Sequence, residues 1–569
     1  MNIVERPYRE ADLRALVAAG VHPVLARIYA ARRIRSAQEL AYEPASLIPP
    51  INLKGSEQAA RLLAEAIETG RRLLIIADYD ADGATACAVG LRALRAFGAS
   101  VDYLVPDRFK LGYGLSPELV ELAARGHGGG KPDLLITVDN GIASVEGVAR
   151  ARELGIATLI TDHHLPGAEL PQAECIVNPN QPGCGFPSKA LAGVGVMFYV
   201  MLALRAELRR RNFFQGQKEP NLAALTDLVA LGTVADVVPL DANNRILVAQ
   251  GLKRLREGRA QPGLSALLRA AGRALHEASS FDLGFIAGPR LNAAGRLADM
   301  SLGIECLSTD DEARAMNCAH ELDRLNAERR RIEAGMVEEA VQMLNRMSDS
   351  DDCTFFSAEW HEGVVGIVAS RLKDRLHRPV ICFARSADGV SLKGSGRSIA
   401  GLHLRDCLDL VAKRAPGVIR RFGGHAMAAG LTIAERDYPR FADEFRRALD
   451  ELLPAEARLR TVETDGSLDA TYCTLEVARM LEGGIWGQGF PQPLFCDTFT
   501  VETQRMVGER HLKLALSRGG RRYDAIAFNA LERQLAPAAG RPTVRAAYRL
   551  AVNEFNGLRN VQINVEHLE

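Results

Sequence analysis

Three apolar runs of this chain, each of strand length, stop on acid or histidine. Residues 73–77 end on Asp78, Asp80 and Asp82, residues 134–138 on Asp139, and residues 157–161 on Asp162, His163 and His164. Carboxylates packed that closely cannot all ionise cheaply, because like charges a few ångströms apart raise one another's pKa. A bound dication removes the conflict and keeps them deprotonated. The imidazoles shift the preference from magnesium or calcium toward manganese, iron, cobalt or zinc. The carboxylate excess and the lack of cysteine in the set turn it back to manganese or magnesium over zinc. Asp236 is a further candidate ligand, an acid within the otherwise apolar stretch 227–240. A lone buried acid is costly unless paired or metal-bound, and a helix cap or a salt bridge is its competing role. Two ions bridged by one carboxylate fit this ligand count. Such pairs clamp the attacking and leaving oxygens in phosphoryl transfer.

Those ligands need a scaffold that brings them together. A helix-like stretch separates each apolar run from the next, which reads as βαβ units with parallel strands. Parallel strands place all their carboxyl ends on one sheet edge, where open α/β folds bind ligands. The fold expected is α/β: two α/β domains with a parallel-sheet core, joined by a long helix, then a small C-terminal β-barrel of the OB-fold kind. Residues 1–50 form a polar helical lead ending in Pro49-Pro50. Residues 51–305 hold the catalytic domain, with buried helices near 191–208 and 222–235. Residues 306–350 form the connecting helix. Its charged, proline-free segment 310–347 would reach about 50 Å at 1.5 Å per residue. Residues 351–457 form the second α/β domain, with strands near 354–358 and 380–384 and a helix at 365–375. Residues 458–569 carry short β-like runs at 499–503, 511–516, 524–528, 544–552 and 561–565, separated by turn signals. That pattern suits a small barrel.

Composition bounds the rest. The 569 residues are 47% hydrophobic and 25% charged, the profile of a soluble globular protein of about three domains. No run of about 18 apolar residues occurs, so no membrane span is expected. The charged start lacks an apolar signal core, which points to the cytoplasm. Ten scattered cysteines without a CxxC pair read as reduced thiols. Lys plus Arg equals Asp plus Glu at 70 each, so only a local basic groove could attract nucleic acid.

Phosphodiester hydrolysis by itself says nothing of DNA, so phosphate donors and stacking faces carry that question. Ser395 and Arg397 lie in a glycine-rich turn, where backbone NH groups and a guanidinium can hold a phosphate. An exposed loop arginine is the plain alternative. His425 sits among small residues that would admit a strand, or is simply packed. Arg290 and Arg296 flank Asn292, and all three are candidates for substrate phosphates. Arg108 and Tyr113 bracket Phe109 and Lys110, interleaving basic and aromatic side chains as base stacking requires; a hydrophobic loop tip would look the same. Ser370 and Arg371 end a helix-like stretch that follows Trp360, which reads as core. Lys513, Arg518, Arg521 and Arg522 surround the Gly519-Gly520 turn and could grip a single strand from the barrel. Trp486 reads as a packing residue.

With these residues placed, the chain resembles the DHH phosphoesterase superfamily. The resemblance lies in Asp78-Tyr79-Asp80-Ala81-Asp82-Gly83, Val138-Asp139-Asn140-Gly141, Asp162-His163-His164 and Gly232-Thr233-Val234-Ala235-Asp236-Val237. Gly394-Ser395-Gly396-Arg397-Ser398 and the glycine-rich segment 423–430 look like the DHH-associated domain. Segment 289–296 is similar to a signature of the RecJ exonuclease branch, which the chain resembles nearly end to end. The resemblance implies a 5′-to-3′ exonuclease that degrades single-stranded DNA to nucleotides in recombination and repair, with two manganese or magnesium ions. It implies Asp78 or Asp80 with Asp139 at one metal, and Asp82, Asp139, His163 and Asp236 at the other. His164 would face the scissile phosphate, and Asp162 would orient a neighbouring histidine. Ser395 and Arg397 become a pocket for a 5′-terminal phosphate. Many members carry a histidine at the position of Ile76, whose place Asp78 takes here. Single-stranded DNA is the implied partner of a monomer without membrane contact, with a single-strand DNA-binding protein and a helicase as further partners. The alternatives are a small-substrate phosphoesterase, which would need neither strut nor barrel, and a non-catalytic DNA-binding scaffold, which the intact acidic set opposes.

Overall fold

The apolar runs that end on acid form strands because they are short, apolar and buried on both faces, as parallel strands between helical layers must be. The computed structural model describes residues 2–107, 114–126, 130–346, 353–508, 510–530, 535, 543–555 and 557–569. They divide into two units, one of Tyr8–Asn326 with Met480–Gln492, the other of Met1–Pro7, Ala327–Arg479 and Pro493–Glu569. In the first unit, strands β1 (Arg72–Ala77), β2 (Ser100–Leu104), β3 (Leu134–Val138), β4 (Ala157–Thr161) and β5 (Cys175–Val177) form one sheet in the order β2-β1-β3-β4-β5. Every pairing is parallel, as expected. The strand order reverses at β1, so the crevice beyond the carboxyl ends of β1 and β3 is the natural ligand position of a doubly wound sheet. Asp78 and Asp139 are the first residues past those two ends.

Helix α1 (Ala81–Ala96) leaves the sheet at that point. Its first half, Ala81 to Ala88, is made of small residues and is wholly buried, so it packs closely on α2 (Gly193–Arg210) and α3 (Thr226–Ala235). A fourth helix, α4 (Gly288–Leu297), braces the same corner. Asn292 Oδ1 accepts from the Ala81 NH at 2.8 Å. Gly295 lies against the Tyr79 carbonyl, where a Cβ would come within 1.9 Å of the oxygen. The unbroken helix α5 (Glu312–Arg346) runs 35 residues, roughly 50 Å.

In the second unit, strands β6 (Thr354–Ser357), β7 (Val380–Arg385), β8 (Ser391–Arg397), β9 (Ile419–Gly424) and β10 (Ala428–Ala434) form a sheet in the order β9-β10-β8-β7-β6. Only β6–β7, joined through the helix Val365–Leu376, is parallel; the remaining pairs are antiparallel because tight turns join β7 to β8 and β9 to β10. Phe383, Phe441 and Phe445 centre its core. Trp360 is buried there, its Nε1 donating to Glu339 Oε2 at 2.7 Å.

The last strands, β11 (Phe495–Val507), β12 (His511–Arg518), β13 (Arg521–Ala527), β14 (Thr543–Phe555) and β15 (Leu558–Leu568), close a barrel in the order β11-β12-β13-β15-β14. Its basic residues are used at home. Arg518 pairs with Asp497 and donates to the Leu468 carbonyl, and Arg521 donates to the carbonyls of Ala470 and Cys473. They fasten the preceding segment to the barrel instead of offering free guanidinium groups. The lead read as helical begins with a strand, Asn2–Glu5, which pairs in parallel with Thr461–Thr464. Trp486 packs against Tyr29 and Phe490 in the first unit. Among the described residues, no helix is long and apolar enough to cross a membrane.

The α4 brace is testable. Gly295→Ala should lower stability by about 1–3 kcal/mol, since the added methyl has no space. Gly335→Ala, at an exposed helical position with nothing within 4 Å of the new methyl, should be neutral or stabilising. Denaturant unfolding of both variants measures the difference, and equal stabilities would remove the brace.

Candidate metal centre

Each acid is placed by its own backbone. Asp80 caps α1, its Oδ1 accepting from the NH groups of Asp82 and Gly83 at 2.9 and 3.0 Å. Asp82, in the first turn of α1, reaches across to the start of α2: Oδ2 accepts from Gly193 NH at 2.6 Å and Oδ1 from Val194 NH at 2.9 Å. Two helix N-termini therefore face this pocket with their positive ends. Asp78 Oδ1 accepts from the Tyr79 NH at 2.8 Å. Asp139 adopts a left-handed conformation at φ +63°, which lets the chain turn off β3 at once and swing the carboxylate inward. Gly193 makes room for it; a Cβ there would be 2.7 Å from the Asp139 Cβ.

The second half of the set comes from β4 and α3. His163 Nε2 lies 3.1 Å from Asp139 Oδ1, 3.5 Å from Asp236 Oδ2 and 3.9 Å from Asp82 Oδ2. Asp236 sits at the C-cap of α3 with its side chain 21% exposed. Asp162 is buried and accepts four bonds. Its Oδ1 takes the His163 and His164 NH groups at 2.7 and 3.1 Å and His164 Nδ1 at 2.8 Å, and its Oδ2 takes the Ile142 NH at 2.9 Å. These bonds make it a positioning residue for the His163-His164 segment. His164, with a side chain 45% exposed, is the more open of the pair.

Electrostatics follow from this crowding. Burial, then Asp82 and Asp80, pushes Asp139 well above the usual carboxylate range, and the same causes raise Asp236. Burial, then Asp80, takes Asp82 up to about 7. Burial and the neighbouring His164 push His163 down to about 4, so it is a neutral imidazole. Burial opposes the charge on Asp162 and His164 alike. Their mutual hydrogen bond, their opposite charges, the backbone NH groups on Asp162 and the further aspartates near His164 together overcome it, holding Asp162 below, and His164 above, its ordinary value.

The donor set suits cations. His163 Nε2 is buried and makes no hydrogen bond, although three carboxylates surround it. Three groups have ligand atoms within 4.8 Å of one another: Asp78, Asp80 and Asp139; Asp82, His163 and Asp236; Asp139, His163 and His164. Asp139 and His163 are shared between these groups and link them into one cluster of hard oxygen and nitrogen donors, with no cysteine among them. All six expected ligands converge, and both Asp78 and Asp80 are in place beside Asp139.

The substrate candidates are placed differently. Arg290 is buried, donating to the Ile286 carbonyl at 2.7 Å and pairing with Asp323 at 2.7 Å. Asn292 is committed through its oxygen to Ala81, so it shapes the metal loop. Arg296 is half-buried near the end of α4. In the second unit, Ser395 and Arg397 lie on β8, where Arg397 Nη1 lies 3.0 Å from Ser395 Oγ and 2.8 Å from the Gly396 carbonyl. Among the described residues no carboxylate pairs with Arg397. Gly366 opens the space beside both, since a Cβ there would lie 2.8 Å from Arg397 Nη2. Exposed His425 belongs to the β9–β10 turn at the same sheet end, its NH donating to Ala428, the register partner of Arg397. Ser370 is half-buried on the helix Val365–Leu376, and its exposed neighbour Arg371 pairs with Glu333 at 2.8 Å. Arg108 and Tyr113 lie outside the described residues.

Sequence reasoning missed Asn178 and Asn180, whose amides donate to the carbonyls of His164 and His163 at 3.0 and 2.6 Å. The signal was available: the pair follows β5 on the same sheet edge.

Comparison with known proteins is consistent with this geometry. The DHH family, N-terminal domain, matches residues 72–233, the DHHA1 domain residues 337–453, and the RecJ OB domain residues 464–567. The single-stranded-DNA-specific exonuclease RecJ of Escherichia coli (strain K12) is 50% identical over 98% of this chain and 98% of its own. RecJ of Thermus thermophilus in complex with Mn2+ superposes with a TM-score of 0.81 at 31% identity, covering 100% of this chain and 79% of that one. Its Mg2+ complex gives 0.77 at 29%, covering 100% and 78%.

Millimolar Mn2+ or Mg2+ should raise the thermal midpoint, because a cation relieves the repulsion among these acids, and a chelator should reverse it. Asp139→Asn should lose most of the shift. A midpoint indifferent to metal in the wild-type chain would remove the assignment.

Proposed function

This chain belongs to the RecJ family of DHH phosphoesterases, and from that membership we propose that it is a metal-dependent exonuclease that degrades single-stranded DNA from the 5′ end to nucleotides, in recombination and repair. The observation that carries the reading is the convergence of five carboxylates and His163 on one sheet edge of the first unit. Asp78 or Asp80 with Asp139 would hold one manganese or magnesium ion, and Asp82, Asp139, His163 and Asp236 the other. When bound, such ions stabilise the charge that develops on phosphoryl oxygens during hydrolysis.

The chain's own residues do the remaining work. His163, kept neutral by burial, retains a lone pair for a ligand role. Asp162 holds the His164 proton at Nδ1 and so turns Nε2 toward the space a scissile phosphate would take. In the second unit, Arg397 with Ser395 is the group we assign to the 5′-terminal phosphate, with His425 beside it. Arg296, Ser370, Arg371, Arg108 and Tyr113 are carried as strand contacts on the resemblance alone. The division at 1–50, 51–305, 306–350, 351–457 and 458–569 belongs to the same proposal. So do action as a cytoplasmic monomer and recruitment by a single-strand DNA-binding protein and a helicase.

One time course tests the activity, with 5′-phosphorylated single strands, 3′-blocked single strands and duplex DNA supplied with Mn2+ or Mg2+. Mononucleotides should appear from the first two and not from the duplex; products from short oligonucleotides alone would favour a small-substrate phosphoesterase. Asp139→Asn should abolish cleavage. Asp162→Asn should slow turnover about 10- to 100-fold through the loss of His164 orientation. Arg397→Ala should weaken the preference for a 5′-phosphate by about tenfold or more while leaving the metal-induced midpoint shift intact. Unchanged end preference would withdraw that residue's role.

A further inference from the structure

Two phenylalanines stand out from the surface of the metal-bearing unit. Phe281 is 52% exposed and Phe285 70%, and their rings stack with centroids 4.9 Å apart and planes 19° from parallel. Large aromatic surface left in water marks a place of interaction more often than chance would leave it there. Phe281 caps, and Phe285 lies within, a π-helical segment, Asp282–Ala287, a rare winding that recurs at functional sites. Buried Asp282 pins that turn, accepting from the Ser279 NH at 2.9 Å, the Ser279 hydroxyl at 2.8 Å and Arg273 Nε at 2.6 Å.

The same stretch of helix grips the loops that carry the acids. At Gly284 a Cβ would lie 3.1 Å from Val234 Cγ1, and at Gly288 it would lie 3.0 Å from the Ala235 Cβ. Val234 and Ala235 immediately precede Asp236. Further along, Asn292 and Gly295 meet Ala81 and Tyr79. Phe285 is therefore one helical turn, about 5 Å along the axis, from the residue packed beside Asp236's neighbour. Val237, next after Asp236, is itself 62% exposed and held at φ +63°, a left-handed conformation that a β-branched residue rarely takes.

We infer that Phe281 and Phe285 form a stacking platform for unpaired bases of the strand whose end is cleaved. This rests on the single-strand exonuclease reading above and adds positioning residues to it. A flat ring face accepts any base whose own face is free, and duplex bases have theirs covered, so the platform favours single strands.

The test is the double variant Phe281→Leu with Phe285→Leu, which keeps apolar bulk and removes both ring faces. On a long 5′-phosphorylated single strand, KM should rise about fivefold or more with kcat unchanged. On a dinucleotide, too short to reach the platform, both constants should match wild type. An unchanged KM on the long strand would overturn the inference while leaving the exonuclease reading standing. Equal losses on both substrates would overturn it too, by showing that the change loosens the metal loops. If the wild-type chain turned over neither substrate, the exonuclease reading would fall, and the platform with it.

Discussion

Mutual repulsion among buried carboxylates is the constraint on which this structure turns. Asp78, Asp80, Asp82, Asp139 and Asp236 occupy one pocket at the carboxyl edge of a parallel sheet, where removal from water and proximity push Asp82, Asp139 and Asp236 above the usual carboxylate range. The fold meets this with oriented backbone. Asp80 takes the first NH groups of α1, and Asp82 those of α2, so two helix dipoles point their positive ends at the acids. These donors position the carboxylates without neutralising them. The pocket is left short of positive charge, and that shortage is what makes it selective for a dication over a side-chain partner.

Much else in the first unit serves that pocket. The strand order reverses at β1, which opens the crevice beyond β1 and β3. Gly193 lets Asp139 approach the start of α2, and Gly295 lets α4 approach the Tyr79 carbonyl. Asp162 spends its lone pairs on its own motif and on Ile142, so that the His163-His164 backbone is fixed and the His164 ring is aimed. Rigid elements thus carry the chemistry, and loops of one or two residues connect it to them.

The ligands were legible because their signal is local. An apolar run with an acid at its end reads the same in any context, and repetition at three strands of one sheet implies convergence. Asp236 was legible for the related reason that an acid in an apolar helix must have a partner. What could not be read were the pairings that exist only in three dimensions. Arg290 and Asn292 read as candidates for substrate phosphates, and nothing in the sequence announces Asp323 beside the one or the Ala81 NH on the other. Strand direction in the second sheet was hidden likewise, since an apolar run carries no arrow and the tight turns set it. Arg518 and Arg521 failed as strand-gripping groups because carbonyls and Asp497 from the preceding segment claim them.

The pairing of Asn2–Glu5 with Thr461–Thr464 bears on how the chain is made. Asn2 and Thr461 are register partners, so the earlier strand leaves the ribosome long before its mate exists. At about 5–20 residues per second, synthesis of the intervening chain takes roughly half a minute to a minute and a half. Throughout that interval the residues around β1–β5 can fold by themselves, while the first strand waits as an unpaired edge. Completion of the second unit is thus timed by translation, since this pairing cannot form until residue 464 has been added.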